Sequence, residues 1–282
     1  MMLGPSFALP RGEAPSVAPL RPIGYAKQME VFVRDGFTLS YDSLGPASGR
    51  PVLLIHGFAT SRTEMWQRLG WYGAFERKGY RLIAPDLRGH GDSSKAYDPA
   101  KYAPSLLLAD LVGLLDHLNI ARADVLGYSM GARLALMLAV SSASRVDHVV
   151  AAGVGGRLLG PAAAPGAMAA AMEASDPDSI SEPMLRSFRL FADEQGADCK
   201  ALAAFSRAPS EPLTREHLAQ ITAPCLIIAG ARDALAGDPE ELAAHIHGAK
   251  ARQLPGCDHF SAISHGLLKA SVFDFFSDEL DL

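Results

Sequence analysis

The chain has 282 residues, 49% of them hydrophobic and 20% charged, with 26 Lys+Arg against 31 Asp+Glu. This composition has room for a sizeable core and excludes an intrinsically disordered chain. A net charge of −5 without a Lys/Arg cluster argues against a nucleic-acid surface, so the expected partner is a small molecule.

Taken from the N-terminus, residues 1–25 are rich in proline (Pro5, Pro10, Pro15, Pro19, Pro22) and are expected to form a flexible leader. No basic segment precedes an apolar core there, so a signal peptide is not expected. Met29–Asp35 and Phe37–Asp42 flank Gly36 and predict a hairpin. Pro51–His56 is a continuous apolar run, the pattern of a strand buried on both faces. Tyr80–Ala84, Ala123–Gly127, His148–Ala152, Pro224–Ala229 and Ala251–Leu254 repeat that pattern. Between them, Leu107, Leu111, Leu114, Leu115 and Leu118 share one helix face. Gly131–Val140, Pro239–Ile246 and Leu267–Phe276 also read as helices, the second with Asp238 as N-cap. The alternation predicts a mostly parallel α/β sheet flanked by helices. Residues 157–212 break it, with no strand and with Leu185, Phe188 and Ala192 at helical spacing. The predicted organisation is a core of 26–156 and 213–282 with a helical insertion at 157–212. The charge-free stretch 158–172 is interrupted by Gly160, Pro161, Pro165 and Gly166 and is too short for a membrane span. Cys199, Cys225 and Cys257 match neither a disulfide framework nor a zinc spacing, and read as reduced thiols of a cytoplasmic protein.

The central motif is Gly127-Tyr128-Ser129-Met130-Gly131, between a predicted strand and a predicted helix. A nucleophile elbow needs this context: the serine sits on a strained turn, and the flanking glycines remove Cβ atoms that would clash. A serine hydroxyl needs a base, and the base needs an orienting acid. Of nine histidines, His259 alone lies just beyond the last predicted strand, in Pro255-Gly256-Cys257-Asp258-His259-Phe260. His245, His247 and His265 are expected on helices. Asp233 follows the run Leu226–Gly230 at a strand's C-terminal end, where open α/β sheets present functional groups. Asp238, on the same loop, is its rival. His56-Gly57-Phe58 follows another strand and offers a second backbone donor, beside that of Met130, for an oxyanion. His56 and the segment Pro85–Ser93 read as a structural brace. The sequence has no HExxH, no GxxxxGK[ST] and no complete dinucleotide fingerprint, so no metal or organic cofactor is expected.

HGF at 56–58, PDLRGHGDS at 85–93, GYSMG at 127–131, GARD at 230–233 and DHF at 258–260 together resemble the α/β-hydrolase superfamily, over about Val31 to Leu280. The resemblance implies Ser129 as nucleophile, Asp233 as acid, His259 as base, and Phe58 and Met130 as the oxyanion hole. It implies a small helical cap after the sixth strand, where 157–212 falls. Haloalkane dehalogenases and epoxide hydrolases of this fold carry aspartate at the elbow, so Ser129 disfavours both. The glycine-rich HGGG loop of lipases is absent. The expected activity is cleavage of a carboxylic ester of a small or medium apolar substrate through an acyl-enzyme. C–C bond hydrolysis, cofactor-free perhydrolase or haloperoxidase chemistry, and a non-catalytic ligand-binding role on the same scaffold are the alternatives. Met168, Met172, Met184, Phe188 and Phe191 are the candidate pocket residues, against the alternative that they only pack the cap.

Overall fold

Strand alternation decides the architecture. Along β3 (Pro51–Ile55), Leu53 and Ile55 enter one core while Val52 and Leu54 enter another on the opposite face. The computed structural model describes residues 29–160, 166–209 and 211–280; the predicted leader lies outside them. β1 (Glu30–Arg34) and β2 (Phe37–Leu44) form the expected hairpin, turned by Asp35 and Gly36 at φ 50° and 77°. Two successive positive φ values make the type I′ turn that matches strand twist. β4 (Arg81–Pro85), β5 (Ala123–Tyr128), β6 (Val146–Ala152), β7 (Cys225–Gly230) and β8 (Lys250–Leu254) complete an eight-stranded sheet of order 1-2-4-3-5-6-7-8. Only the pairings of β2 are antiparallel.

α1 (Trp71–Arg77) was not foreseen, because Gly70 and Gly73 interrupt its apolar pattern. It packs Trp71 and Phe75 on one face of the sheet. α2 (Pro104–His117) and α3 (Met130–Ser141) cover the other, as Leu107, Leu114, Leu134 and Leu138 show. The connections leaving β3 and β5 thus diverge to opposite faces, and the adjacent C-terminal ends of these strands open a crevice. Between β6 and β7 come α4 (Ala167–Glu173), α5 (Pro183–Glu194), α6 (Cys199–Ser206) and the single turn α7 (Arg215–Leu218). Ala169, Met172, Ala192, Leu202 and Ala203 give this excursion a small core, which also takes in Ala59 from the loop after β3. α8 (Pro239–Ala243) is shorter than expected: i→i+3 bonds from His245 to Leu242 and from Ile246 to Ala243 end it, so His245 and His247 lie beyond it. His265 is likewise outside its helix, as the N-cap of α9 (Gly266–Phe276). No helix among the described residues is long and apolar enough to cross a membrane.

A buried polar network fixes the loops at the crevice. The Asp86 carboxylate accepts from the main-chain N–H of Arg62 (2.7 Å) and Asp92 (2.8 Å) and pairs with the fully buried Arg62 guanidinium. Arg88 makes a two-pronged pair with Asp110, 2.8 Å at its Nη2. His56 Nε2 accepts the Leu87 N–H at 3.0 Å, which leaves the ring proton on Nδ1 to donate to the Gly57 carbonyl at 2.7 Å. His90 packs beside it, ring centroids 5.1 Å apart, with Nδ1 on the Arg88 carbonyl at 3.0 Å. Burial pulls the His56 imidazole down to about 4 and the His90 imidazole down to about 3.

Both rings therefore fold neutral. As pH falls below about 6.5 the unfolded rings protonate first, so unfolding free energy should decline down to about 4 for His56 and about 3 for His90. In urea titrations, His90→Gln should make this decline shallower by up to about 1.4 kcal/mol per pH unit. An unchanged slope would show that His90 is not what the acid limb reports.

Candidate active site

β5 is buried along its whole length and delivers Ser129 to the crevice. Ser129 has φ 55° and ψ −113°, a conformation unfavourable for a residue with a Cβ. Its N–H is held by the Ala152 carbonyl of β6 at 2.8 Å. The neighbouring glycines make the turn sterically possible. A Cβ on Gly127 would lie 2.2 Å from the Gly131 carbonyl oxygen, and one on Gly131 would lie 2.0 Å from that of Ile55.

Ser129 Oγ lies 2.9 Å from His259 Nε2, and His259 Nδ1 lies 2.8 Å from Asp233 Oδ2. With the ring proton on Nδ1, the imidazole donates to Asp233 and accepts from the serine hydroxyl. The other Asp233 oxygen accepts the N–H groups of Leu235 (3.0 Å) and Ala236 (2.9 Å), so the carboxylate is fixed from both sides. Both side chains are buried. The rival Asp238 instead caps α8 through the Glu240 N–H at 3.0 Å. Asp258 holds its own turn, accepting from the Ser261 N–H at 2.9 Å.

Two further contacts place the histidine. Arg232 N–H donates to the Cys257 carbonyl at 2.8 Å and ties the Asp233 loop to the His259 loop. The buried Tyr128 hydroxyl donates to the His259 main-chain carbonyl at 2.6 Å. This link was not foreseen, since no local pattern relates residues 128 and 259. The loop after β3 passes the serine closely: a Cβ on Gly57 would be 3.7 Å from that of Ser129. Phe58 follows Gly57 on that loop and lines a cavity together with Ser129, and Met130 follows Ser129 as the first residue of α3.

Two cavities meet at the serine and share Ser129, His259 and Phe188. One, about 650 Å³, is walled by Phe58, Phe191 and Phe260 with Met65 and Leu69. The other, about 640 Å³, is lined by Met130, Leu158 and Leu159 and by Arg133, Arg157 and Arg215. Of the five candidate pocket residues, Phe188 and Phe191 line a cavity, one helical turn apart on α5. The three methionines do not. Met172 is buried in the core of the excursion, Met168 packs against it, and Met184 lies in the first turn of α5, away from both cavities. Phe260 and Arg133 were missed, although each had a signal: Phe260 follows His259, and Arg133 is four residues after Ser129 on one helix face.

The model of the Alpha/beta hydrolase family matches residues 52–267. The chain is 31% identical over 224 residues to 3-oxoadipate enol-lactonase 2 of Acinetobacter baylyi, covering 74% of this chain and 81% of that one. Its 37% identity to epoxide hydrolase 2 of Siraitia grosvenorii extends over 117 residues, 41% of this chain and only 35% of that protein. Among solved structures, a hydrolase from Pseudomonas aeruginosa PA01 superposes with a TM-score of 0.74 at 27% identity, covering 89% of this chain and 99% of that one. The enol-lactonase from Burkholderia xenovorans LB400 gives 0.74 at 26% identity, with 88% and 100% covered. With a family model matched over most of its length and a relative 31% identical over 74% of it, the chain belongs to the alpha/beta hydrolase family.

Proposed function

We propose that the chain is a serine hydrolase that cleaves a carboxylic ester through an acyl-enzyme. The observation that carries this reading is the unbroken hydrogen-bonded relay Ser129–His259–Asp233 at the floor of two cavities. In this mechanism His259 Nε2 takes the hydroxyl proton as Ser129 Oγ attacks the ester carbonyl. Asp233 stabilises the resulting imidazolium and keeps its orientation. The main-chain N–H groups of Phe58 and Met130 receive the oxyanion. His259 then protonates the leaving alcohol, the C–O bond breaks, and the acyl group remains on Ser129. Water, deprotonated by His259, attacks the acyl-enzyme; the acid leaves and Ser129 regains its proton.

Residues 157–212 act in this reading as a cap, with Phe188 and Phe191 turned to the acyl-binding side. The aromatic cavity suits a small or medium apolar group. The resemblance to two enol-lactonases supports the same bond class, since a lactone is an internal ester.

Labelling with a fluorophosphonate and hydrolysis of p-nitrophenyl esters of increasing acyl length should both be lost in Ser129→Ala, with kcat down by about 10⁴-fold or more. A wild type that is folded but neither labelled nor active would sink the reading and favour a binding role; labelling without ester turnover would redirect it to C–C hydrolase or perhydrolase chemistry. Asp233→Asn should lower kcat by about 10⁴-fold through the wrong imidazole tautomer, with little change in KM. Tyr128→Phe should cost about ten-fold in kcat at near-constant KM, the order expected for one lost hydrogen bond to the histidine backbone. A KM effect alone would remove Tyr128 from the positioning of His259.

A further inference from the structure

The two cavities differ in how their cations are neutralised. In the aromatic cavity, Arg68 is paired with Glu64 at 2.8 Å. The other cavity presents Arg133, Arg157 and Arg215 against one lining carboxylate, Glu216. Arg133 stands one turn of α3 beyond Ser129 on the same face. It is half-buried, and its Nη2 donates to the main-chain carbonyl of Glu211 at 2.6 Å. The Glu211 carboxylate is engaged elsewhere, by the Ser105 N–H at 3.2 Å and hydroxyl at 2.7 Å. Among the described residues Arg133, Arg157 and Arg215 make no salt bridge; Arg215 meets His245 Nε2 at 3.4 Å and acts electrostatically on its neighbour Glu216, which leaves Arg133 and Arg157 without a carboxylate partner. Burial works against the Arg133 charge and lowers its pKa, with Glu211 opposing in part. A guanidinium with five donors, partly withdrawn from water and bonded to one carbonyl, is a site short of an anion.

We propose that this cavity is an anion subsite: the ester cleaved at Ser129 carries an apolar arm for the aromatic cavity and a second arm ending in a carboxylate, bound by Arg133 with Arg157 and Arg215 at the rim. The proposal rests on the hydrolase reading above for its substrate, but the subsite itself requires no turnover. Ser129 and Arg133 line the same cavity one helical turn apart, so one short ester can reach both, and a glutarate monoester is the probe.

The test compares mono-p-nitrophenyl glutarate with its methyl ester, which is one methyl group larger and uncharged, by p-nitrophenol release after subtraction of the enzyme-free rate. Wild type should favour the acid by about ten-fold or more in kcat/KM, as for a charge-assisted hydrogen bond. Arg133→Gln should reduce that ratio by about ten-fold, and Arg133→Lys should restore part of it, with thermal unfolding run in parallel to show that each variant is folded. A wild-type ratio near one, or a ratio unchanged in Arg133→Gln, would overturn the proposal. If wild type turns over neither ester, fluorophosphonate labelling decides the hydrolase reading, and the subsite is decided separately by calorimetric titration of Ser129→Ala with free glutarate. Binding that weakens about ten-fold on adding Arg133→Gln upholds the subsite; no binding, or equal binding by both proteins, refutes it.

Discussion

The site depends on one close backbone approach, that of the first turn of α3 to the end of β3. Gly131 faces the Ile55 carbonyl with no room for a methyl group, 2.0 Å being the separation an added Cβ would have. That contact brings the start of the helix beside the loop that carries Phe58. It also makes the turn at Ser129 so sharp that a non-glycine residue is held at φ 55°. The strain is retained because the surroundings determine it: the Ser129 N–H is bonded to β6 and β5 is paired on both edges. A larger residue at 131 would move the helix outward and shift Ser129 away from His259. In the proposed mechanism a displacement of about an ångström between these two groups would change the rate by orders of magnitude.

Around this contact, the loops are fixed by polar groups more than by packing. Arg62 with Asp86 and Arg88 with Asp110 are buried pairs, and such pairs are costly to desolvate and weak evidence for net stability. Their main effect here is geometric. Asp86 gathers the main-chain N–H groups of Arg62 and Asp92 and the Arg62 guanidinium, groups 30 residues apart in sequence, which defines where the loops after β3 and β4 run. His56 adds a bond from one loop to the other through its neutral ring. A hydrophobic contact, being non-directional, would not fix main-chain donors in this way.

Much of this was legible in the sequence because the signals are local. Each core strand is an apolar run, and the motif around Ser129 carries its own steric reason in Gly127 and Gly131. Asp233 and His259 were readable from their places just after predicted strands. The losses occurred where information is not local. α1 was hidden because glycine at 70 and 73 broke the periodicity of a helix whose burial comes from Trp71 and Phe75. Tyr128 bonds residue 259 only because the fold brings β5 beside the last loop. Methionine content pointed to the excursion between β6 and β7, but composition does not say which helix face meets the cavity. There the aromatic residues of α5 face inward, while Met172 fills the interior of the excursion.

Ala59 ties two parts of the molecule together that seem separable in the topology. It is fully buried at φ 59°, on the loop after β3, and belongs to the small core of the helical excursion. Phe58 beside it meets Phe188 of α5 and Phe205 of α6, at 6.1 and 5.9 Å. The excursion is therefore not an interchangeable module with borders at the two points where it leaves and rejoins the sheet. A transplant of another protein's helices onto this scaffold would have to bring residues 58 and 59 with it. An exchange at this position would thus reshape the loop beside Ser129 along with the helix that lines its cavities.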